Sequence, residues 1–267
     1  MPAIAVVGNL SRDLVDGEPP RPGGPPYWAA RALRALRARA LVVAKCATND
    51  RELFAPALAE LGLPVLWRPG TSTATFSFHY EGDHRVMNVM AIGDPLTPDD
   101  VREVGDARWV HAGALVQSDF PAVTMAELAR GRRISFDGQG LVRPARTGPL
   151  ELVADYDPEV LRHVTILKLA EEEAEALLGD EPTEEGLRSL GVPEVLVTFG
   201  SLGSLVLANG RLEQVDARTI EGDTDPTGAG DAFSAAYLVS RSAGHVPVAA
   251  ARQASALVAG MLSGRLR

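Results

Sequence analysis

Residues 223–238 read "DTDPTGAGDAFSAAYL": a turn of small residues, an acid at Asp231, then an apolar run of helical character. The order is informative. A helix interior disfavours glycine, and an ordinary loop does not need a carboxylate set directly ahead of a buried helix. The first amides of a helix have no intrahelical acceptor, and the helix dipole makes that end electropositive. Gly228 and Gly230, with only Ala229 between them, would let an anion approach those amides closely. Asp231 at the mouth of the turn is placed to take a proton from a hydroxyl attacking a phosphoryl group. On this window alone, simple capping of the helix by Asp231 explains the acid equally well. The stretch is not a Walker A loop, because no Gly-Lys-Ser/Thr follows. Nor is it a dinucleotide fingerprint, because the third glycine and a surrounding βαβ unit are missing.

Upstream of this turn, apolar runs alternate with helical patterns. "AIAVVG", "ALVVAKC" and "PVLW" read as buried strands, separated by the helical stretches "YWAARALRALRA" and "ELFAPALAELG". Residues 71–92 break the rhythm: "TATFSFHY" and "RVMNVMAI" alternate around the turn "EGDH", a hairpin signature. The α/β order then resumes through "ARWVHAG", "AVTMAELARG", "RRISFDG", "VTILKLA", "EEEAEALLG" and "EVLVTFG". "GSLVLANGRLEQVDA" reads as a second hairpin, and helices are expected over about 229–243 and 247–263. This order predicts an α/β protein of three layers, α/β/α, with a mainly parallel central sheet. Residues 1–267 read as a single domain with a small β-hairpin lid inserted around 71–92. The Pro-rich "GEPPRPGGPP" at 17–26 reads as a loop.

Composition narrows the function. With 46% hydrophobic and 23% charged residues over 267 positions, the chain has an ordinary globular balance. A net charge of −9 argues against nucleic acid as a partner. The single cysteine, Cys46, excludes an internal disulfide, and no Cys/His cluster has zinc spacing. The opening "MPAIAVVGNLSRDLV" lacks a basic n-region and reads as a strand rather than a signal peptide. No apolar run reaches bilayer length. A soluble, cytoplasmic protein with no membrane partner is expected.

"DPTGAGDAF" resembles the C-terminal signature of the ribokinase-like carbohydrate kinases, also called the phosphofructokinase-B family, usually Asp-Thr-x-Gly-Ala-Gly-Asp. Further segments agree in order along nearly the whole chain: "VVGNLSRDL", Gly23-Gly24, "SFDGQGLVR", "LKLAEEEAEAL" and "VLVTFGSLGS". The Asp-Pro-Thr form and the aromatic after the double glycine are most similar to the inositol-kinase branch. The resemblance implies a ribokinase-like fold and ATP-dependent phosphorylation of a hydroxyl on a small sugar or cyclitol, with Mg²⁺ as cofactor and potassium as a candidate activator. It leaves monomer and homodimer both open.

Residue by residue, the resemblance makes Asp231 the catalytic base and the amides of Gly228, Ala229 and Gly230 the anion hole. Asp225 and Thr227 match positions that bind a monovalent cation in some relatives. Thr198, Gly200 and Gly203 in "TFGSLG" match a strand-turn-strand that runs along the nucleotide; taken alone they describe an ordinary hairpin turn. Of twenty-six basic residues only Lys45 and Lys168 are lysines. Lys168 matches the lysine ahead of the family's acidic helix, on the nucleotide side. The family's Asn-x-x-Glu, tied to Mg²⁺ through water, becomes Ala170 and Glu173. On the acceptor side the resemblance assigns Asp13 to substrate hydroxyls, with Ser11, Gly23, Gly24 and Trp28 around it. Trp28 stands where sugar kinases usually have Asn; it suits stacking on a ring and equally suits core packing. Asp137, in "SFDGQGLVR", resembles the family's Asp-x-Asn-x-x-x-Arg strand end with Gln139 in place of Asn, and lines the site without a defined role. Two alternatives stay open: a nucleoside acceptor stacked by Tyr27, Trp28 or Phe78, and a kinase-like protein that binds without turnover.

Overall fold

The first strand, β1 (Ile4–Asn9), is buried at every position. Its side chains alternate between two cores, Ala5 and Val7 in one, Ile4 and Val6 in the other, as the two-residue period of a strand requires. A strand buried on both faces needs a layer of helices on each side. The computed structural model, which describes residues 4–15, 18–81, 84–218 and 225–266, supplies both layers.

After β1 the chain runs through β2 (Ser11–Val15), β3 (Arg21–Gly23), α1 (Pro25–Ala35), β4 (Ala40–Ala47), α2 (Arg51–Glu60) and β5 (Val65–Gly70). The hairpin β6 (Ala74–Glu81) and β7 (His84–Ala91) follows; the centre of its expected turn, 82–83, lies outside the described residues. Next come α3 (Pro98–Arg102), β8 (Trp109–Gly113), α4 (Ala122–Leu128), β9 (Arg133–Asp137), α5 (Gln139–Val142) and β10 (Gly148–Pro149). The rest of the chain forms β11 (Ile166–Ala170), α6 (Glu171–Leu178), α7 (Glu184–Ser189), β12 (Glu194–Thr198), β13 (Ser204–Ala208), β14 (Arg211–Val215), α8 (Ala229–Ser242) and α9 (Pro247–Leu262).

Among the described residues nine strands form the main sheet, in the order β14-β13-β12-β11-β9-β8-β1-β4-β5. Every pairing from β12 through to β5 is parallel, and the β12–β13 and β13–β14 pairings are antiparallel. Helices α1, α8 and α9 cover one face; α3, α4, α6 and α7 cover the other. The chain leaves β1 toward β4 and β5, then returns to β8 on its other side. That reversal opens a crevice at the carboxyl ends of β1 and β8, the usual ligand position in such sheets.

The lid is larger than the hairpin expected from the sequence. Strand β2 pairs in parallel with β6, β3 pairs with β2, and β10 pairs with β7, giving a sheet ordered β10-β7-β6-β2-β3. Arg21–Gly23, expected as loop, is therefore an edge strand. Pro22 disguised it, because proline is tolerated at a sheet edge where a missing N–H costs little. Only Leu10 separates β1 of the main sheet from β2 of the lid. Its N–H donates to Lys45 O at 2.9 Å, and its side chain is fully buried.

Candidate functional site

Gly228 caps the start of helix α8, and its φ of 76° is left-handed and favours glycine. A Cβ there would also lie 2.2 Å from the Trp28 ring. Ala229 N–H is engaged within the turn, donating to Pro226 O at 2.9 Å, and Ala232 N–H closes the first helical bond to Gly228 O. By helix geometry this leaves Gly230 and Asp231 N–H without an intrahelical acceptor. A Cβ at Gly230 would lie 2.9 Å from Lys168 Nζ, so a bare position here lets the lysine reach the turn.

Asp231 is buried, and its Oδ1 has no hydrogen-bond partner. Burial, together with the Asp137 carboxylate and against the pull of Lys168, pushes its pKa up to about 8. Asp137 ends β9, fully buried. One of its oxygens accepts from Gln139 N–H at 3.2 Å, while Oδ2 has no hydrogen bond and lies 4.0 Å from Lys168 Nζ. Burial pulls the Lys168 ammonium down, but Asp137, Glu173 and Asp231 outweigh it and hold its pKa above the usual lysine value. Glu173 accepts from Ala170 N–H at 2.8 Å and lies 3.8 Å from Arg143. Underneath sits His111 of β8, fully buried, with Nδ1 3.2 Å from Ser135 Oγ and Nε2 unpartnered. Burial and the Lys168 charge depress its pKa to about 4, so the ring is neutral.

Two cavities meet at this turn and share Pro226. The smaller, about 140 Å³, is bounded by Asp231, Gly228, Trp28, Asp13, Ser11 and Gly24, with Phe76, Phe78 and Met87 of the lid above. Asp13 is buried, and one of its oxygens accepts from Ser11 Oγ at 2.7 Å. Gly23 packs so closely that a Cβ would lie 2.3 Å from Asp13 Oδ2. The larger cavity, about 430 Å³, is reached by Thr198, Gly200, Gly203, Ala229 and Gly230, and walled by Phe233, Val258, Ala259 and Leu262. Ser204 Oγ, buried at its wall, has no partner. Thr198 Oγ donates to Leu169 O at 3.2 Å. A further cavity of about 600 Å³, lined by Tyr156, Leu178 and Leu190, contains none of these residues.

Asp225 and Thr227 stand just before the turn, with Asp225 Oδ1 accepting from both the N–H and the hydroxyl of Thr227 at 2.9 and 2.6 Å. Residues 219–224 lie outside the described set. His111 and Ser204 carry no motif that marks them in the sequence as site residues. The signal for His111 was present: a polar residue inside the otherwise apolar run "WVHAG".

Residues 20–263 match the pfkB family carbohydrate kinases. The chain belongs to that family. Ribokinase of Bacillus subtilis (strain 168) is 27% identical over 94% of this chain and 90% of its own length. Cytidine kinase of Thermococcus kodakarensis is 25% identical over 90% of this chain and 89% of its own. Among solved structures, a pyrophosphate-dependent kinase in the ribokinase family, complexed with a pyrophosphate analog and myo-inositol, superposes with a TM-score of 0.84 at 25% identity. It covers 97% of this chain and 94% of that one. This pfkB-family chain is thus a sugar or nucleoside kinase with a ribokinase-like α/β fold. Among the described residues no helix is long and apolar enough to cross a membrane.

Proposed function

We propose that the chain transfers the terminal phosphoryl group of ATP to a hydroxyl of a single-ring polyol, with Asp231 as general base. The observation that carries this is the position of Asp231 in the smaller cavity, one turn of chain from the larger cavity touched by Ala229 and Gly230. An acid at that junction can take the acceptor proton where the two substrates meet.

The residues fit a nucleotide donor. The larger cavity joins a polar lip, with Ser204 Oγ unsatisfied, to an apolar wall at Phe233, Val258 and Leu262. An apolar wall is suited to a base, whereas pyrophosphate would leave it uncovered. When bound, ATP with Mg²⁺ supplies the transferable group and offsets its charge. Gly228 and Gly230 N–H would cradle the phosphoryl oxygens, with Ala229 N–H already committed to the turn. Lys168 would hold its ammonium against the same group, while Thr198, Gly200 and Gly203 receive the rest of the triphosphate. Glu173 would hold a water of Mg²⁺; Ala170 offers no side-chain acceptor beside it. Asp225 and Thr227 would face an activating potassium ion.

On the acceptor side, Asp13 can accept from vicinal hydroxyls, and Trp28 presents an apolar face. At about 140 Å³ the acceptor cavity is close to the ~150 Å³ cavity that holds one six-membered ring. That supports a sugar or cyclitol over a nucleoside. The decisive assay measures phosphate transfer from ATP and from pyrophosphate to a panel of sugars, cyclitols and nucleosides, with Asp231→Asn alongside. Turnover from ATP to a single-ring polyol, abolished by the substitution, is expected. No turnover with any pair, or turnover untouched by the substitution, would sink the reading.

A further inference from the structure

His111, Asp137 and Asp231 come from three separate elements, β8, β9 and α8, yet each offers one ligand atom, and these atoms lie within 4.8 Å of one another. His111 and Asp137 are fully buried and Asp231 nearly so. His111 Nε2, Asp137 Oδ2 and Asp231 Oδ1 all lack hydrogen-bond partners. Buried polar atoms are normally paired, so three unpaired ones on adjoining side chains mark a place built to receive something. The proposed kinase chemistry uses only Asp231 of the three.

We propose that His111, Asp137 and Asp231 form a binding site for a borderline divalent cation, zinc above all, and that an ion there blocks Asp231 as a base. One imidazole and two carboxylates are a donor set that suits zinc, whereas Mg²⁺ prefers oxygen ligands alone. The Mg²⁺ that travels with the donor phosphates is thus a different ion in a different place. The contact of His111 Nδ1 with Ser135 Oγ fixes the ring and turns Nε2 into the ligand, as an outer partner does in established sites. Zinc bonds of about 2.0–2.2 Å need the three atoms drawn together by roughly an ångström, within reach of side-chain adjustment. Lys168, 4.0 Å from Asp137, and Arg143 oppose a cation, and Asp137, Glu173 and Asp231 outnumber them once zinc displaces the proton from Asp231. Access runs through the acceptor cavity, which Asp231 lines. Acceptor and zinc therefore exclude each other.

The blocking arm rests on the reading of Asp231 as base; the binding arm does not. Equilibrium dialysis of the nucleotide-free chain against zinc should give one ion per chain. His111→Asn keeps a polar group opposite Ser135 but removes the ligand, and should weaken binding at least about tenfold; Asp137→Asn should do the same. Anomalous scattering from zinc-soaked wild-type crystals, which needs no variant, should place the ion between the three side chains. In turnover assays zinc should inhibit wild type more strongly than His111→Asn, each relative to its own zinc-free rate. No zinc bound by wild type, an ion found elsewhere, or folded variants binding as tightly as wild type would overturn the proposal. A failed turnover panel would leave the binding result standing, and the converse also holds.

Discussion

The chain has two lysines, both buried in strands of the main sheet, and their surroundings differ in one respect. Lys45 on β4 is complete: its ammonium donates to Asp100 at 2.7 Å and to Pro95 O at 2.8 Å. Asp100 in turn accepts from Thr97 N–H at 2.8 Å, starting α3 with a capping box. Lys168 on β11 stands 4.0 Å from Asp137, with Glu173 and Asp231 holding its charge at longer range. One ammonium is spent on holding a helix to the sheet. The other is held charged by acids at longer range against the Gly230 turn, which under the proposed function reserves it for a ligand.

The largest effect expected on this contrast comes from the acid next to Lys168. Asp231→Asn should lower kcat by about 10²–10⁴-fold while raising the melting temperature, because the amide is not penalised by burial as the carboxylate is. A fall in both, read by steady-state kinetics and calorimetry, would erase the distinction between the two lysine regions. Next come the lysines themselves. Lys45→Met leaves Asp100 buried without its partner and should cost about 3–5 kcal/mol, seen as a lower urea midpoint with activity per folded molecule retained. Lys168→Met should do the reverse, lowering phosphoryl transfer by about 10²–10³-fold with a smaller change in the midpoint.

Changing pH sharpens the comparison, because the two carboxylates titrate in opposite senses. Burial, then Asp137, raises the Asp231 pKa to about 8, above its value in the unfolded chain. Its contribution to stability is full at acid pH and is lost as pH rises toward 8. The kcat/KM for the acceptor should rise over the same interval as the base loses its proton. For Asp100, burial pulls upward, but Lys45 and Thr97 outweigh it and lower the pKa. Its contribution is present at neutral pH and is lost as pH falls through the acid range. Wild type should therefore gain activity while losing part of its stability between pH 6 and 8, and Asp231→Asn should flatten both trends. A wild-type rate independent of pH across that interval would contradict the assignment.

A smaller effect is expected at the turn. Gly228→Ala forces a Cβ into the Trp28 ring and strains a left-handed residue, costing roughly 1–3 kcal/mol. Combined with Trp28→Ala, the loss should be smaller than the sum of the two single changes. Strict additivity in a double-mutant cycle would mean that ring and turn are independent.

The parallel sheet was legible because its strands are continuous apolar runs such as "AIAVVG" and "EVLVTF", which require burial on both faces. The α8 turn was legible because glycines at the start of a buried helix weaken it, a cost without return unless the bare backbone is needed there. The lid was legible only as its central hairpin. "SRDLV" and "RPG" carry no two-residue hydrophobic period of their own and become strands by pairing with β6 and with each other. That is a tertiary effect, invisible to any local window. His111 was missed for a related reason: its neighbours Asp137 and Asp231 are 26 and 120 residues away along the chain, and only the sheet brings them together. The engagement of Ala229 N–H by Pro226 O was likewise out of reach, since it depends on how the turn closes.

The close seating of Gly228 on the Trp28 ring has a practical corollary for anyone redesigning this catalyst. Trimming the indole to admit bulkier acceptors would also remove the wall against which the turn before α8 rests. Under the proposed function, selectivity and speed are wired to the same side chain, and libraries that vary position 28 without position 228 should trade one for the other.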